Sequence, residues 1–136
     1  MKDYSNQHIY EGRFLPGEPF VLDSKSPHHI FMATFEDDGV DAYFYAVDPR
    51  SVNQPIKDAR LIYECKNLAP ELRGQMLKVQ ILWSEDGKKA LLLLDQYPHA
   101  AIDFNAEKAY CRMGVPLVSM WNQDNFFWED RLLRLF

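Results

Sequence analysis

Four residues near the end of the chain, His99, Asp103, Tyr110 and Arg112, are of types that bind or transform a small molecule. They fall on two short apolar segments, 99–104 and 109–112, separated by the turn residues Asn105 to Lys108. With Phe104 opposite Ala109, Asp103 faces Tyr110, and Arg112 lies diagonally within reach on the same side, because directly opposed residues of an antiparallel pair share a face. Such a face can line a ligand pocket. The simpler reading is a structural Asp103–Arg112 pair beside a hydrogen-bonded His99. This register sends Cys111 into the core with Ile102 and Phe104. A slip of one residue would put Cys111 on the Asp103 side, where an imidazole could take the thiol proton and make a nucleophile. The preferred register therefore argues against thiolate chemistry.

A second cluster, Glu36, Asp37, Asp38 and Asp41, brings four carboxylates into six residues. Ca²⁺ takes oxygen ligands of this kind, but the spacing fits no EF-hand loop. Asp is also what an exposed turn uses to accept bonds from its own backbone. The expectation is a solvated turn, usable as a negatively charged handle for a basic partner, with no metal. His28 and His29 are adjacent and so point to opposite faces on entering a strand. The six glycines, at 12, 17, 39, 74, 87 and 114, never come closer than five positions, so no Gly-rich phosphate loop can be built. No Gly-x-Ser-x-Gly elbow and no His-Glu-x-x-His pair occurs. No cofactor is expected, and the balance leans away from an enzyme.

The whole chain sets the frame for these residues. At 136 residues and 47% hydrophobic, it is long enough for one packed domain. Fifteen Lys and Arg against twenty Asp and Glu give a net charge of −5, with the basic residues scattered. That is a poor footprint for nucleic acid or anionic membrane. Apolar runs such as Ala90 to Leu94 are far too short to span a bilayer, and the N-terminus lacks the pattern of a secretory signal, so the expected location is cytoplasmic. Cys65 and Cys111 make no C-x-x-C and read as small buried hydrophobes.

Residues 1–18, with Pro16-Gly17-Glu18-Pro19, show no periodicity and are expected to form an N-terminal arm, with 19–136 a single β-rich domain. Asp37-Asp38-Gly39 and Glu85-Asp86-Gly87 lie between apolar runs, the mark of hairpin turns. Tyr43 to Val47 is apolar on both alternating faces, which predicts cover on both sides. Leu61, Tyr63 and Cys65 alternate with Arg60, Glu64 and Lys66, as in a half-buried strand, and Ile62 breaks the pattern. Met76 to Arg112 reads as a four-stranded meander. Asp124 can cap a helix over 125–136, with Glu129 and Asp130 early, Arg131 and Arg134 late, and a stripe of Trp128, Leu132 and Leu135 above Trp121. The fold class is then α+β, mostly β: an antiparallel meander sheet of six or more strands with a C-terminal helix.

Phe35-Glu36-Asp37-Asp38-Gly39, Tyr43-Phe44-Tyr45-Ala46, Trp83-Ser84-x-Asp86-Gly87, Tyr97-Pro98-His99-Ala100-x-x-Asp103-Phe104 and Tyr110-Cys111-Arg112 together resemble a family of small bacterial proteins, domain of unknown function 2251. The likeness runs from about Phe20 to Pro116. Asp41-Ala42 departs from the Thr-Gly pair usual there. The resemblance implies a bacterial origin and carries no catalytic role to any residue.

These readings point to a non-enzymatic protein–protein interaction module with another protein, basic in charge, as its partner. One concrete form is an immunity or antitoxin-type protein whose acidic surface caps a basic toxin. Self-association into a homo-oligomer is compatible with the same features. The competing expectation is a small-ligand binder or enzyme using the His99, Asp103, Tyr110 and Arg112 face.

Overall fold

The computed structural model of the chain describes residues 8–113, 116–119, 121 and 127–136. Among these residues ten strands run in chain order: β1 (His8–Phe14), β2 (Phe20–Lys25), β3 (Met32–Asp37), β4 (Asp41–Val47), β5 (Ile56–Glu64), β6 (Leu77–Trp83), β7 (Lys89–Leu94), β8 (Tyr97–Asp103), β9 (Lys108–Cys111) and β10 (Pro116–Ser119). They form two antiparallel five-stranded sheets, ordered β1-β6-β7-β8-β9 and β10-β5-β4-β3-β2. The meander expected from Met76 to Arg112 is β6 to β9.

A single sheet of six or more strands is thus replaced by two sheets packed face to face. The physical reason is that each meander carries its large apolar residues on one alternating face and can bury them only against the other. Phe35, Phe44, Val79, Ile81, Leu92 and Ile102 belong to the shared core. β1 approaches β2 at one lateral seam and β5 approaches β9 at the other.

Both expected hairpin turns occur. Asp38 Oδ1 accepts from the Val40 and Asp41 amides at 2.8 and 2.9 Å, closing the β3–β4 tip. At the β6–β7 turn, Gly87 has φ +72°, and a Cβ there would lie 2.5 Å from Ser26 Oγ. That hydroxyl donates to the Gly87 carbonyl at 2.6 Å, joining the two sheets at this end.

Residues 8–14, expected in the arm, instead pair with β6 from His8↔Trp83 to Phe14↔Leu77. As an edge strand, β1 buries Phe14 and leaves most of its other residues exposed, so it has little periodicity to read. Gly12 is opposite Val79, with the Phe20 ring 2.9 Å from where its Cβ would be, so the glycine admits the ring.

The C-terminal helix is not formed: Asp130–Leu135 is a 3-10 turn, and the expected Asp124 cap lies outside the described residues. With three residues per turn rather than 3.6, Leu133 and Phe136 share a side. They and Trp128 pack on Leu82, Leu91, Leu93 and Ala101, the outer face of the first sheet. Leu135, assigned to the stripe, is exposed, and Trp121 lies edge-on to Phe104 with ring centroids 5.6 Å apart. β7 is therefore apolar on both sides, each fully buried Leu contributing roughly 1.5 to 3 kcal/mol relative to exposure.

In β5 the alternation is broken by a bulge. Ala42 pairs with Tyr63 but Tyr43 with Leu61, which leaves Ile62 as the extra residue and reverses the facing of residues 58 to 61, up to a second shift at Lys57. Arg60, read as solvent-facing, is consequently opposite core residue Phe44 and only 1% exposed. Its Nε and Nη2 donate to the two carboxylate oxygens of buried Asp58 at 2.8 and 2.9 Å. Among the described residues no helix is long and apolar enough to cross a membrane.

Candidate functional site

The acidic cluster divides between the two faces of its sheet. Ala33, Phe35 and Asp37 alternate inward along β3, so Asp37 is buried, a correction to its expected place on the solvated turn. Its Oδ2 accepts from the Gly17 amide at 2.8 Å and the Tyr63 hydroxyl at 2.5 Å. Oδ1 accepts from the Gly39 amide at 2.8 Å and from the Cys65 thiol at 3.6 Å. One carboxylate thus ties the β1–β2 loop, the β3–β4 tip and the end of β5 together. Burial, followed by the Asp37 charge, pushes the Cys65 thiol up to about 11, so Cys65 is a half-buried donor and a poor nucleophile.

Glu36 and Asp41 point the other way, and Asp38 stands at the tip. On this outer face the Tyr43 and Tyr45 rings stack at 5.9 Å. The Tyr45 hydroxyl donates to Glu36 Oε1 at 2.6 Å and the Tyr43 hydroxyl to Asp41 Oδ2 at 3.3 Å. Burial first, then the neighbouring carboxylates, raise the pKa of both phenols, so they remain protonated donors. Val21 and Val40, 52% and 67% exposed, flank this patch. Tyr43, Tyr45 and Val47, expected to be covered on both sides, stay half-exposed on this face. Among the described residues, no three His, Cys, Asp or Glu side chains gather as a metal-binding group.

The four residues of the last hairpin separate. Its register is two residues tighter than expected, with Ala101↔Tyr110 and Asp103↔Lys108. Two residues preserve facing, so Cys111 is buried as read from the sequence, beside Ile102 and Phe104 in the core. Asp103 Oδ1 accepts from the Asn105 and Ala106 amides, both at 3.0 Å, and serves its turn. Tyr110 stands opposite Ala101, where Glu129 and Arg131 act on it.

His99 and Arg112 remain together. They line a groove of about 340 Å³ between the end of β5, the start of β8 and the 3-10 turns Cys65–Asn67 and Pro70–Leu72. The Arg112 guanidinium lies 4.3 Å from the Tyr97 ring centroid and 5.4 Å from that of Trp128, and its Nε donates to the Pro98 carbonyl at 2.7 Å. Burial, then the Arg112 charge, lowers the His99 pKa to about 4.

This imidazole predicts an acid-sensitive limb of stability. A folded-state pKa below the usual 6.5 means that the unfolded chain takes up a proton that the folded one refuses. Stability should be full above about pH 6.5 and fall by on the order of 2 to 3 kcal/mol toward pH 4. The depressed carboxylates Asp38, Asp48 and Asp86 act lower, as pH falls from 3.8. Urea unfolding at pH 7.5 and 4.5 should show the loss, and His99→Asn should remove it.

A family model described as "Uncharacterized protein conserved in bacteria (DUF2251)" matches residues 14–136. The chain belongs to this family. It is also similar to an uncharacterized protein of Haemophilus influenzae (strain Rd), 39% identical over 97 residues. That match covers 69% of this chain and 59% of the relative, so the chain spans about three-fifths of the length of the curated relative it matches. No solved structure matches.

The DUF2251 assignment leaves the residues at both places to speak through their geometry. Tyr43 and Tyr45 were legible only as strand residues, although their spacing of two beside four carboxylates signals one mixed face. Tyr97 and Trp128 flank Arg112, and Glu71 lines the same groove, across long sequence separations that give no local signal.

Proposed function

We propose that this DUF2251 protein is a non-enzymatic interaction module that receives a basic segment of another protein on the outer face of β2 to β5. The observation carrying this reading is the half-exposed Tyr43–Tyr45 stack bordered by Glu36, Asp38 and Asp41. Stacked phenols offer a flat apolar platform over which a guanidinium can lie, and carboxylates at its border accept that cation's hydrogen bonds. Tyr at the centre and charge at the rim is the usual composition of an interface. The net charge of −5 adds long-range attraction for a positive partner. An immunity or antitoxin-type protein covering a basic toxin is one form such a module takes.

The variant Asp38→Asn with Asp41→Asn removes two charges, while the side-chain carbonyl introduced at position 38 can still accept from the turn amides. Its unfolding free energy should stay within about 1 kcal/mol of the parent, since exposed charges contribute little. Association with the basic partner held by this face should slow several-fold and lose much of its salt dependence. An unchanged on-rate and salt slope would argue against the reading.

A further inference from the structure

We propose that the groove beside Arg112 binds a small aliphatic amino carboxylate, its carboxylate on Arg112 and His99 and its ammonium group toward Glu71. This site is independent of the Tyr43–Tyr45 face and lies at one end of the β5–β9 seam, where the two sheets part. The mouth of a β-structure is a recurrent place for small ligands, and about 340 Å³ suits one of amino-acid size.

Arg112 is already oriented. Two aromatic rings flank its guanidinium, and its Nε is committed to the Pro98 carbonyl. Its terminal nitrogens make no hydrogen bond to a described residue, leaving a planar pair of donors of the geometry a carboxylate takes. The His99 ring, half-buried and edge-on to Tyr97 at 5.6 Å, likewise has no hydrogen-bond partner among the described residues. The inner part of such a ring is shielded from water, and an incoming acceptor can take the bond that solvent does not fully supply. One carboxylate would satisfy both groups.

Charge and shape narrow the class further. Glu71 and Glu64 also line the groove. They oppose a multiply charged anion such as phosphate and favour a ligand that carries its own cation. Glu71 is exposed and acts electrostatically on His99, opposing the influence of the Arg112 charge on the imidazole. Ile62, Ala69, Leu72 and Met113 supply an apolar wall for a short aliphatic chain. A second hollow shares Glu71, Leu72, Tyr97 and His99 and continues toward Asp95, so the groove has room for the chain to extend.

The test is titration of the full chain with L-leucine, 4-methylpentanoate, 3-methylbutylamine and inorganic phosphate, followed through the His99 ring resonances by NMR. L-leucine should shift these resonances saturably in the millimolar range and raise the titration midpoint of the ring by about one pH unit. 4-Methylpentanoate should bind several-fold more weakly, while the amine and phosphate stay silent. Arg112→Lys should weaken leucine binding at least about tenfold, through loss of the fork-shaped donor pair. Should that variant misfold, Glu71→Gln, at an exposed position, must still erase leucine's advantage over 4-methylpentanoate. No saturable leucine shift, an equal response to 4-methylpentanoate, or a phosphate response stronger than leucine's would overturn the proposal.

Discussion

Asp37→Ala should be among the most damaging single substitutions in this chain, costing about 3 to 5 kcal/mol of unfolding free energy. Four donors, the Gly17 and Gly39 amides, the Tyr63 hydroxyl and the Cys65 thiol, converge on its two oxygens. Truncation leaves them facing a void inside the sandwich, and each buried unsatisfied group costs roughly 1 to 3 kcal/mol. Asp37→Asn, which keeps the shape but turns two lone pairs into donors aimed at donors, should recover little. Tyr63→Phe removes a single bond to a charged acceptor and should cost about 1.5 to 3 kcal/mol. Urea unfolding of the three variants would read this order, and a loss below about 1 kcal/mol for Asp37→Ala would contradict the buried role.

The second large effect lies in β5. Asp58→Ala should cost about 3 to 5 kcal/mol, because it removes the carboxylate that accepts from two nitrogens of the Arg60 guanidinium, which is only 1% exposed. The pair itself is not expected to be a large net source of stability, since both ions surrender their hydration to reach the core. Asp58→Leu with Arg60→Met should therefore lose clearly less than the sum of the two single substitutions, a coupling of at least about 1.5 kcal/mol in a double-mutant cycle. Additive losses would mean that the two side chains act separately.

The bulge explains why this pair was hidden. Read from the sequence, Arg60 alternates with Leu61 and belongs to solvent, and the intrusion of Ile62 was the sole trace of the extra residue that turns it inward. The same local blindness applies to Asp37. An Asp before Asp-Gly marks a turn correctly, but the donors that draw it inside come from Gly17, Tyr63 and Cys65, which are distant in sequence. By contrast, features encoded by neighbours were legible. The two Asp-Gly turns, the β6–β9 meander and the inward facing of Cys111 all follow from alternation and turn chemistry. The C-terminal segment misled because Trp128, Leu132 and Leu135 have helical spacing, whereas the sheet beneath is contacted by Trp128 together with Leu133 and Phe136 at the 3-10 spacing, Leu132 is buried, and Leu135 is left exposed. For the candidate sites, the acidic hairpin and the His99–Arg112 proximity could be read early. The groove that gives the latter its shape depends on two 3-10 turns from a separate part of the chain.

The claim that most needs testing is that the Tyr43–Tyr45 face holds a basic partner. A photo-reactive benzoylphenylalanine placed at Tyr43 in the protein expressed in its native bacterium, with the same residue placed at exposed Asn105 as the control, addresses it directly. The expected result is a discrete adduct with a basic protein from position 43, weakened by Asp38→Asn with Asp41→Asn and absent from position 105. No adduct at position 43, or the same adduct from both positions, would contradict it.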